Sequence, residues 1–392
     1  MTPAAPRAER TEVLVVGGGP VGVFLGALLA HAGVDVIVWE RRTAEPAGSR
    51  AIGIHPPSLD AFAAIDAAAP VLAEAALVHR GVARSRGRTL GTLSFDRASD
   101  THPYVATLDQ HRTERILRER LAAAAPEALR TGVTLTALER SQDHVDAAGT
   151  GPDGEPVAVR ASFVVGADGA RSTVRDLLGI GTTGREYPDR YVMGDFADPE
   201  PGSARSAALV DVGPDGVVES FPLPDGRRRY VALVGRGPAA DDEVDAVALA
   251  QTIRDRTGAP VDADSCSMLS GFRVRRRAAV RVGVGRVVLI GDAAHEISPI
   301  GGQGMNLGWL DAADLAPLLT EGVRTGSAGP WPAYARRRQA AARRAARQAE
   351  ANMALGGRAV GPTQLGREVL LRTLLRLPSA DALARLYAMR WA

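Results

Sequence analysis

Lysine is missing from all 392 residues, so the 47 basic side chains are all arginine. That absence excludes a lysine Schiff base, a phosphate-loop lysine and any catalytic ammonium group. Pyridoxal enzymes and P-loop NTPases go with them. Cysteine is nearly as scarce. Cys266 stands alone, which rules out an internal disulfide and leaves a thiolate metal site without ligands. It reads as a small buried hydrophobe rather than a nucleophile, because nothing beside it in sequence resembles an activating histidine. The seven histidines are scattered without ligand spacing, and no metal is expected. No apolar run approaches the ~20 residues of a membrane span. The opening MTPAAPRAER lacks the apolar stretch of a secretory signal and reads as a loose tail, so a reducing, cytoplasmic setting is expected.

Charge of one sign is also lacking. Forty-seven basic against 45 acidic residues leave a net charge of +2, with no field dedicated to nucleic acid. The basic run RRRQAAARRAARQAE (336–350) is interrupted by alanine and reads as a solvated or domain-packing helix face. The length allows two or three hydrophobic cores.

Glycine is placed with purpose. In EVLVVGGGPVGVFLGALLAHAGVDVIVWE (12–40), a continuous apolar strand meets Gly17-x-Gly19-x-x-Gly22, then a helix that opens at Pro20 and closes at Gly33, then a strand that ends on Glu40. This is the dinucleotide fingerprint in its context. The helix N-terminus takes the pyrophosphate, and the carboxylate of Glu40 takes the ribose hydroxyls of FAD or NAD. Further on, HPPSLDAF begins a helix, 108–125 forms another, and 133–161 alternates as a β-meander. Residues 161–180 repeat strand, turn, helix around Asp168-Gly169, and 190–235 hold four alternating strands of an antiparallel sheet. A helix spans 242–256, strands return at 267–282 and 286–291, a helix runs over 304–319, and an Ala/Arg-rich helical segment follows Trp331. Parallel-type βα units at both ends of residues 1–320, with an antiparallel sheet between them, predict an α/β fold. A Rossmann-like nucleotide domain is assembled from separated segments, and the ligand crevice lies at its seam with the inserted sheet.

Three of these stretches together resemble one family. The N-terminal fingerprint, VVGADGARSTVR and GRVVLIGDAAHEISPIGGQGMNLG are similar to the three FAD signatures of the p-hydroxybenzoate hydroxylase-like, single-component flavoprotein monooxygenases. SRAIGIHPPSLDAF (49–62) and LDQHRTERIL (108–117) resemble that family's flavin-contacting segments. The resemblance covers about residues 11–356 and implies a short form without a thioredoxin-like C-terminal domain. It implies an FAD-binding domain over 1–77, 98–182 and 272–330, a substrate-binding domain over 78–97 and 183–271, and a C-terminal helical segment over 331–392.

The same resemblance assigns roles. Glu40, with Arg41 beside it, would bind the adenosine ribose, and Arg50 and Gln110 would touch the flavin and its ribityl or phosphate region. Asp168 and Arg175 would meet the pyrophosphate and help nicotinamide access. Asp292 would hold a ribityl hydroxyl, and Pro299, Gly302, Gly304, Met305 and Asn306 would line the isoalloxazine ring. Each has a plain alternative. Asp168-Gly169 fits an ordinary turn, Asp292 fits a helix cap, and His295 fits structural hydrogen bonding, while the role of Glu296 stays open. Tyr191, Phe221 and Tyr230 of the inserted sheet are candidate substrate contacts, set against the alternative that they are sheet core. No catalytic base is named.

The implied activity is hydroxylation of an electron-rich aromatic or related organic molecule. NADPH or NADH transiently reduces a noncovalent FAD, dioxygen adds to form a flavin C4a-hydroperoxide, and one oxygen passes to the substrate. The alternatives are a same-fold flavoenzyme of other outcome, such as an epoxidase or reductase, or a flavin-binding protein without turnover. A halogenase that works through lysine is excluded by the absence of that residue.

Overall fold

The structure, a computed structural model, describes residues 8–44, 51–200, 202–204, 206–236, 245–298, 300–376 and 380–391. Arg50 and Pro299 lie outside the described residues.

The buried VLVV run lies in strand Glu9–Val16, at the centre of an eight-stranded sheet. Pro156–Gly166 pairs with it in parallel on one side and Val36–Glu40 on the other. Val287–Leu289 continues the sheet beyond Pro156–Gly166, and Leu129–Thr131 beyond Val36–Glu40. Five strands drawn from residues 9 to 289 thus share one parallel sheet, as the interleaved pattern predicts. Parallel strands buried on both faces need continuous apolar runs, and all of these strands but the edge strand Leu129–Thr131 have them. Thr134–Arg140, Val145–Thr150 and Pro156–Gly166 form the expected meander.

Helix Pro20–His31 crosses from the glycine turn and packs on helix Gln303–Thr325. Phe24, Phe62 and Trp309 interlock edge-on, with ring centroids 5.1 and 4.8 Å apart. Trp309 Nε1 also donates to the Pro20 carbonyl at 3.1 Å. The two helix starts that face the cavity are therefore fixed to each other.

The second sheet runs in the order His295–Glu296, Met268–Ala279, Thr182–Ala197, Arg227–Arg236, Gly216–Leu223, Ala207–Gly213, Arg80–Ser85, Arg88–Ser94. It is antiparallel except where Ala207–Gly213 meets Arg80–Ser85. The expected boundary at residue 272 falls inside the continuous strand Met268–Ala279, which belongs to this sheet.

One sheet face buries Phe196, Val218, Tyr230 and Ala232 under helix Ala246–Thr257. Asp245 caps that helix and Gly258 ends it at φ 76°. The other face carries Met193, Val217 and Val231 towards the first sheet and the C-terminal helices Trp331–Gly356, Gly361–Arg376 and Ala380–Tyr387. In helix Trp331–Gly356, Ala342, Ala345, Ala346 and Ala349 are buried, whereas Arg336, Arg337, Arg343, Arg344 and Arg347 are exposed. The arginine run thus has a solvated face and a packing face. Among the described residues, no helix is long and apolar enough to cross a membrane.

Candidate active site

A cavity of about 960 Å³ is lined by the strand ends of the first sheet and by one face of the second. Its nucleotide end is built by three glycines with different duties. Gly17 has φ +112°, and a Cβ there would lie 2.4 Å from the Ala167 carbonyl oxygen. A Cβ on Gly22 would fall 1.9 Å from the Gly17 carbonyl oxygen. These two close the turn onto the sheet and the helix. A Cβ on Gly19 would meet no protein atom within 4 Å, and Gly19 lines the cavity. The helix it precedes has no side-chain cap, so its first N–H groups face a space suited to a phosphate.

Glu40 is 5% exposed and borders the same space. Burial alone would raise its pKa, but the Arg42 guanidinium at 2.8 Å and the N–H groups of Arg42 and Gly18 hold it below the ordinary carboxylate range. Glu40 is therefore an ionised acceptor, fixed on the turn. Arg41 and Gln110 line the cavity, and Gln110 also donates to Glu114 at 2.7 Å.

In the Asp168 loop, the turn-forming role and cavity lining coincide. Asp168 borders the cavity, yet its carboxylate accepts from Ser172 Oγ at 2.5 Å and Val174 N–H at 3.0 Å, holding the start of helix Thr173–Leu177. Burial raises its pKa against those donors. Arg175 is not among the lining residues. Its guanidinium donates to the carbonyls of Ala293 at 3.2 Å and Ala170 at 2.9 Å, tying this loop to the Asp292 loop. The expected pyrophosphate contact is thus corrected to a loop clamp, and Arg171 is the arginine that lines the cavity here.

Asp292 differs from these. Its carboxylate stands open to the cavity while protein walls it in, and among the described residues it has no hydrogen-bond partner. Burial pushes its pKa up to about 6, with Glu296 and Asp311 adding to the rise and His295 opposing it. Asp292 is accessible from the cavity, so water solvates this carboxylate until a ligand with hydroxyl or N–H donors replaces it.

Behind the loop, His295 Nε2 meets Asp311 Oδ2 at 2.5 Å, and Asp311 also accepts from Arg338 at 2.6 Å and Gly291 N–H at 2.9 Å. Burial would lower the His295 pKa, but Asp311 outweighs it and raises it. His295 is therefore part of a buried support. Glu296 lines the cavity.

Gly301 and Gly302 take φ +92° and +66°, and with Gly304 and Met305 they line the cavity at the start of helix Gln303–Thr325. Asn306 does not. Its Oδ1 accepts from His55 N–H at 2.9 Å and Ser58 Oγ at 2.8 Å, and its Nδ2 donates to the carbonyls of Gly53 and Gly302, both at 2.9 Å. All four hydrogen-bonding positions of the amide are filled by protein, which corrects the expectation that Asn306 lines the ring. It is a staple between the 53–58 segment and the glycine loop. Asn306→Leu should therefore lower the thermal midpoint and FAD content together, since each buried group left unpaired costs roughly 1–3 kcal/mol. Calorimetry beside flavin absorbance checks this. A stable, flavin-saturated variant would refute the staple.

Of the substrate candidates, only Phe221 lines the cavity. Tyr191 is 1% exposed, stacked on Phe272 at 5.6 Å, and Tyr230 packs edge-on against Phe196 on the opposite face. Both are sheet core, so their expected contact role is corrected. Period-two alternation would have found what was missed. Val217, Glu219 and Phe221 share one face of strand Gly216–Leu223 and all line the cavity. His55, inside the 49–62 stretch that resembles a flavin-contacting segment, also lines it, as do Phe272, Asn352 and Tyr387, which had no sequence signal of their own. Burial lowers the pKa of His55 to about 4, leaving a neutral imidazole beside Gly302.

The arrangement fits FAD on observations of the protein alone: an uncapped helix start, the open face of Gly19 and the unpartnered Asp292. Comparison with known proteins agrees. The family model described as FAD binding domain matches residues 10–349. The chain is 36% identical over 324 residues to 6-methylpretetramide 4-monooxygenase of Streptomyces rimosus, covering 81% of this chain and 57% of that one. It is 34% identical over 327 residues to rifampicin monooxygenase of Streptomyces venezuelae, covering 80% and 64%. The chain thus spans roughly three-fifths of the length of these relatives. Among solved structures, p-nitrophenol 4-monooxygenase of Pseudomonas putida superposes with a TM-score of 0.86 at 25% identity, covering 98% of each chain. The Diels-Alderase of pyrroindomycin biosynthesis gives 0.78 at 26%, covering 96% of this chain and 80% of that one. With the family match reaching from the first strand through the glycine loop and into the arginine-rich helix, the chain belongs to the FAD binding domain family.

Proposed function

We propose that the protein is an FAD-dependent monooxygenase that uses NADH or NADPH and dioxygen to hydroxylate an electron-rich aromatic or related organic molecule. One observation carries this reading. The cavity runs without interruption from the dinucleotide turn to the apolar face of the second sheet, so cofactor and organic substrate would share one space. Bound FAD supplies the redox chemistry and the activation of dioxygen.

The chain's own residues position, charge and enclose. Gly17, Gly19, Pro20 and Gly22 shape the pyrophosphate seat, Glu40 and Arg41 take the adenosine ribose, and Gln110 and Asp168 border the phosphate and ribityl path. Asp292 accepts from a ribityl hydroxyl, and Gly302, Gly304 and Met305 underlie the ring. The uncapped start of helix Gln303–Thr325 favours negative charge there. Met193, Val217, Phe221, Val231 and Phe272 wall the substrate end and exclude water.

Oxygen uptake and nicotinamide oxidation measured together test the reading. Without an organic substrate, oxidation should be slow and yield hydrogen peroxide; a phenolic substrate should accelerate it and give a hydroxylated product. Fast oxidation to water with no organic substrate present would sink the proposal. The similarity to a Diels-Alderase favours one second reading, a cavity that shapes an organic molecule without oxygenating it. Product formation with no dioxygen consumed would establish that reading instead.

A further inference from the structure

The substrate end of the cavity is walled mainly by apolar side chains, with Arg229, Arg273 and Arg275 at its border and the carboxylate of Glu219 set among them. Glu219 lies at the middle of strand Gly216–Leu223. On its own strand, Val217 and Phe221 flank it on the same face, and its cross-strand neighbours are Val210 and Val231, so all four are hydrophobic. Among the described residues Glu219 has no hydrogen bond and no ion pair, whereas the buried arginine of the neighbouring strand, Arg229, is held by Asp195 at 2.6 and 2.7 Å. The titratable groups that reach it electrostatically are phenols, Tyr191 from strand Thr182–Ala197 and Tyr387 from helix Ala380–Tyr387. Arg273 and Arg275 line the cavity from strand Met268–Ala279, but burial is the cause of the Glu219 shift and no cation offsets it. Tyr387 in turn donates to Asn352 at 2.8 Å, and the Asn352 amide is the atom that a Cβ on Gly301 would meet, at 3.2 Å. Asn352 and Tyr387 both line the cavity, so this hydrogen-bonded pair adds polar groups to its lining.

A carboxylate kept in an apolar wall without a counter-charge is costly unless its partner arrives with the ligand. We propose that Glu219 is the substrate-contacting base, which accepts the hydroxyl hydrogen of a phenolic substrate seated on the apolar face of the second sheet. This deepens the hydroxylase reading and rests on its placement of the substrate. The step is a proton transfer alone. The phenol O–H bond breaks, an O–H bond forms on a Glu219 Oε, and the electron pair stays on the phenol oxygen, enriching the ring carbons that are to be oxygenated. The proton goes back to that oxygen once the oxygenated carbon sheds its own hydrogen. Burial pushes the pKa of Glu219 up to about 7, which poises it for such an exchange near neutrality.

The test uses the FAD-loaded protein and two probe pairs, p-cresol against p-methylanisole and naphthol against methoxynaphthalene. Wild type should bind each phenol about tenfold or more tightly than its ether, the scale of one hydrogen bond to a charged acceptor. In Glu219→Gln, which keeps shape and removes charge, that ratio should collapse to about twofold or less. For naphthol, wild-type affinity should rise as pH rises through about 7 while the ether's stays flat, and the rise should vanish in the variant. Matching flavin content and thermal midpoint of the two proteins show that the variant is folded. A phenol preference that survives in Glu219→Gln, or that is absent from wild type, overturns the proposal. So does a naphthylmethylammonium probe whose binding needs Glu219 when that of naphthol does not. If wild type hydroxylates naphthol and Glu219→Gln does so equally well, the inference fails and the hydroxylase reading stands. A Glu219-dependent phenol preference with no oxygen transferred gives the reverse.

Discussion

Asp292→Ala should purify nearly colourless, whereas wild type carries one FAD per chain. The carboxylate has no partner among the described residues and faces the cavity, so ligand hydroxyls would be its donors. A hydrogen bond to a charged group is worth roughly 1.5–3 kcal/mol, which corresponds to FAD binding about 10- to 100-fold weaker. The pH dependence has a definite sign. Without ligand, burial holds the Asp292 pKa near 6. Hydroxyl donors favour the ionised form, so FAD lowers that value. Affinity should then be level above about pH 6 and fall as the carboxylate takes up a proton below it. Asp292→Asn should be weaker throughout and lose that slope. Flavin fluorescence titrations from about pH 8 to about pH 5 check both statements. An alanine variant saturated with FAD, or a slope unchanged in the asparagine variant, would show that Asp292 does not hold the ribityl chain.

Gly22→Ala and Gly19→Ala should separate cleanly, although both alter the same fingerprint by one methyl group. At Gly22 the new Cβ would lie 1.9 Å from the Gly17 carbonyl oxygen, so the turn must open or the helix must lift from the sheet. The expected cost is about 3 kcal/mol or more, with thermal stability lost even in flavin-free protein. At Gly19, φ −75° suits alanine and no protein atom lies within 4 Å of the new Cβ. The flavin-free protein should keep its stability to within about 0.5 kcal/mol. Its FAD affinity should drop by roughly tenfold or more, because the methyl group occupies space reserved for the pyrophosphate. Thermal melts of both apo variants, followed by FAD titration, make the comparison. Equal loss of stability in both would mean that Gly19 serves the fold rather than the ligand.

Much of the first sheet is legible in the sequence. Continuous apolar runs at 13–16, 36–39, 163–165 and 287–290 lie in or beside the central parallel strands. The glycine spacing placed the turn, and the Asp-Gly and glycine-loop motifs marked the two other approaches to the cavity. These signals are local, since a buried parallel strand, a positive φ and an uncapped helix start each leave their mark within a few residues.

Which polar groups meet the ligand was not local in that sense. Arg175 and Asn306 sit inside the motifs, yet partners 118 and about 250 residues away in sequence occupy them. Asp292, one residue before the backbone that Arg175 grips, is left open to the cavity. Tyr191 and Tyr230 have the right chemistry for a pocket, but pleat and packing bury one beneath Phe272 and turn the other to the helix-covered face. The dinucleotide sheet, its glycine turn and a ligand that is either FAD or NAD were legible in the residues alone, because those depend on backbone conformation and short-range spacing; FAD itself came from the family resemblance. The tertiary structure alone decided which side chains remain without partners and face the shared cavity, because a buried polar group's role depends on every group folded against it.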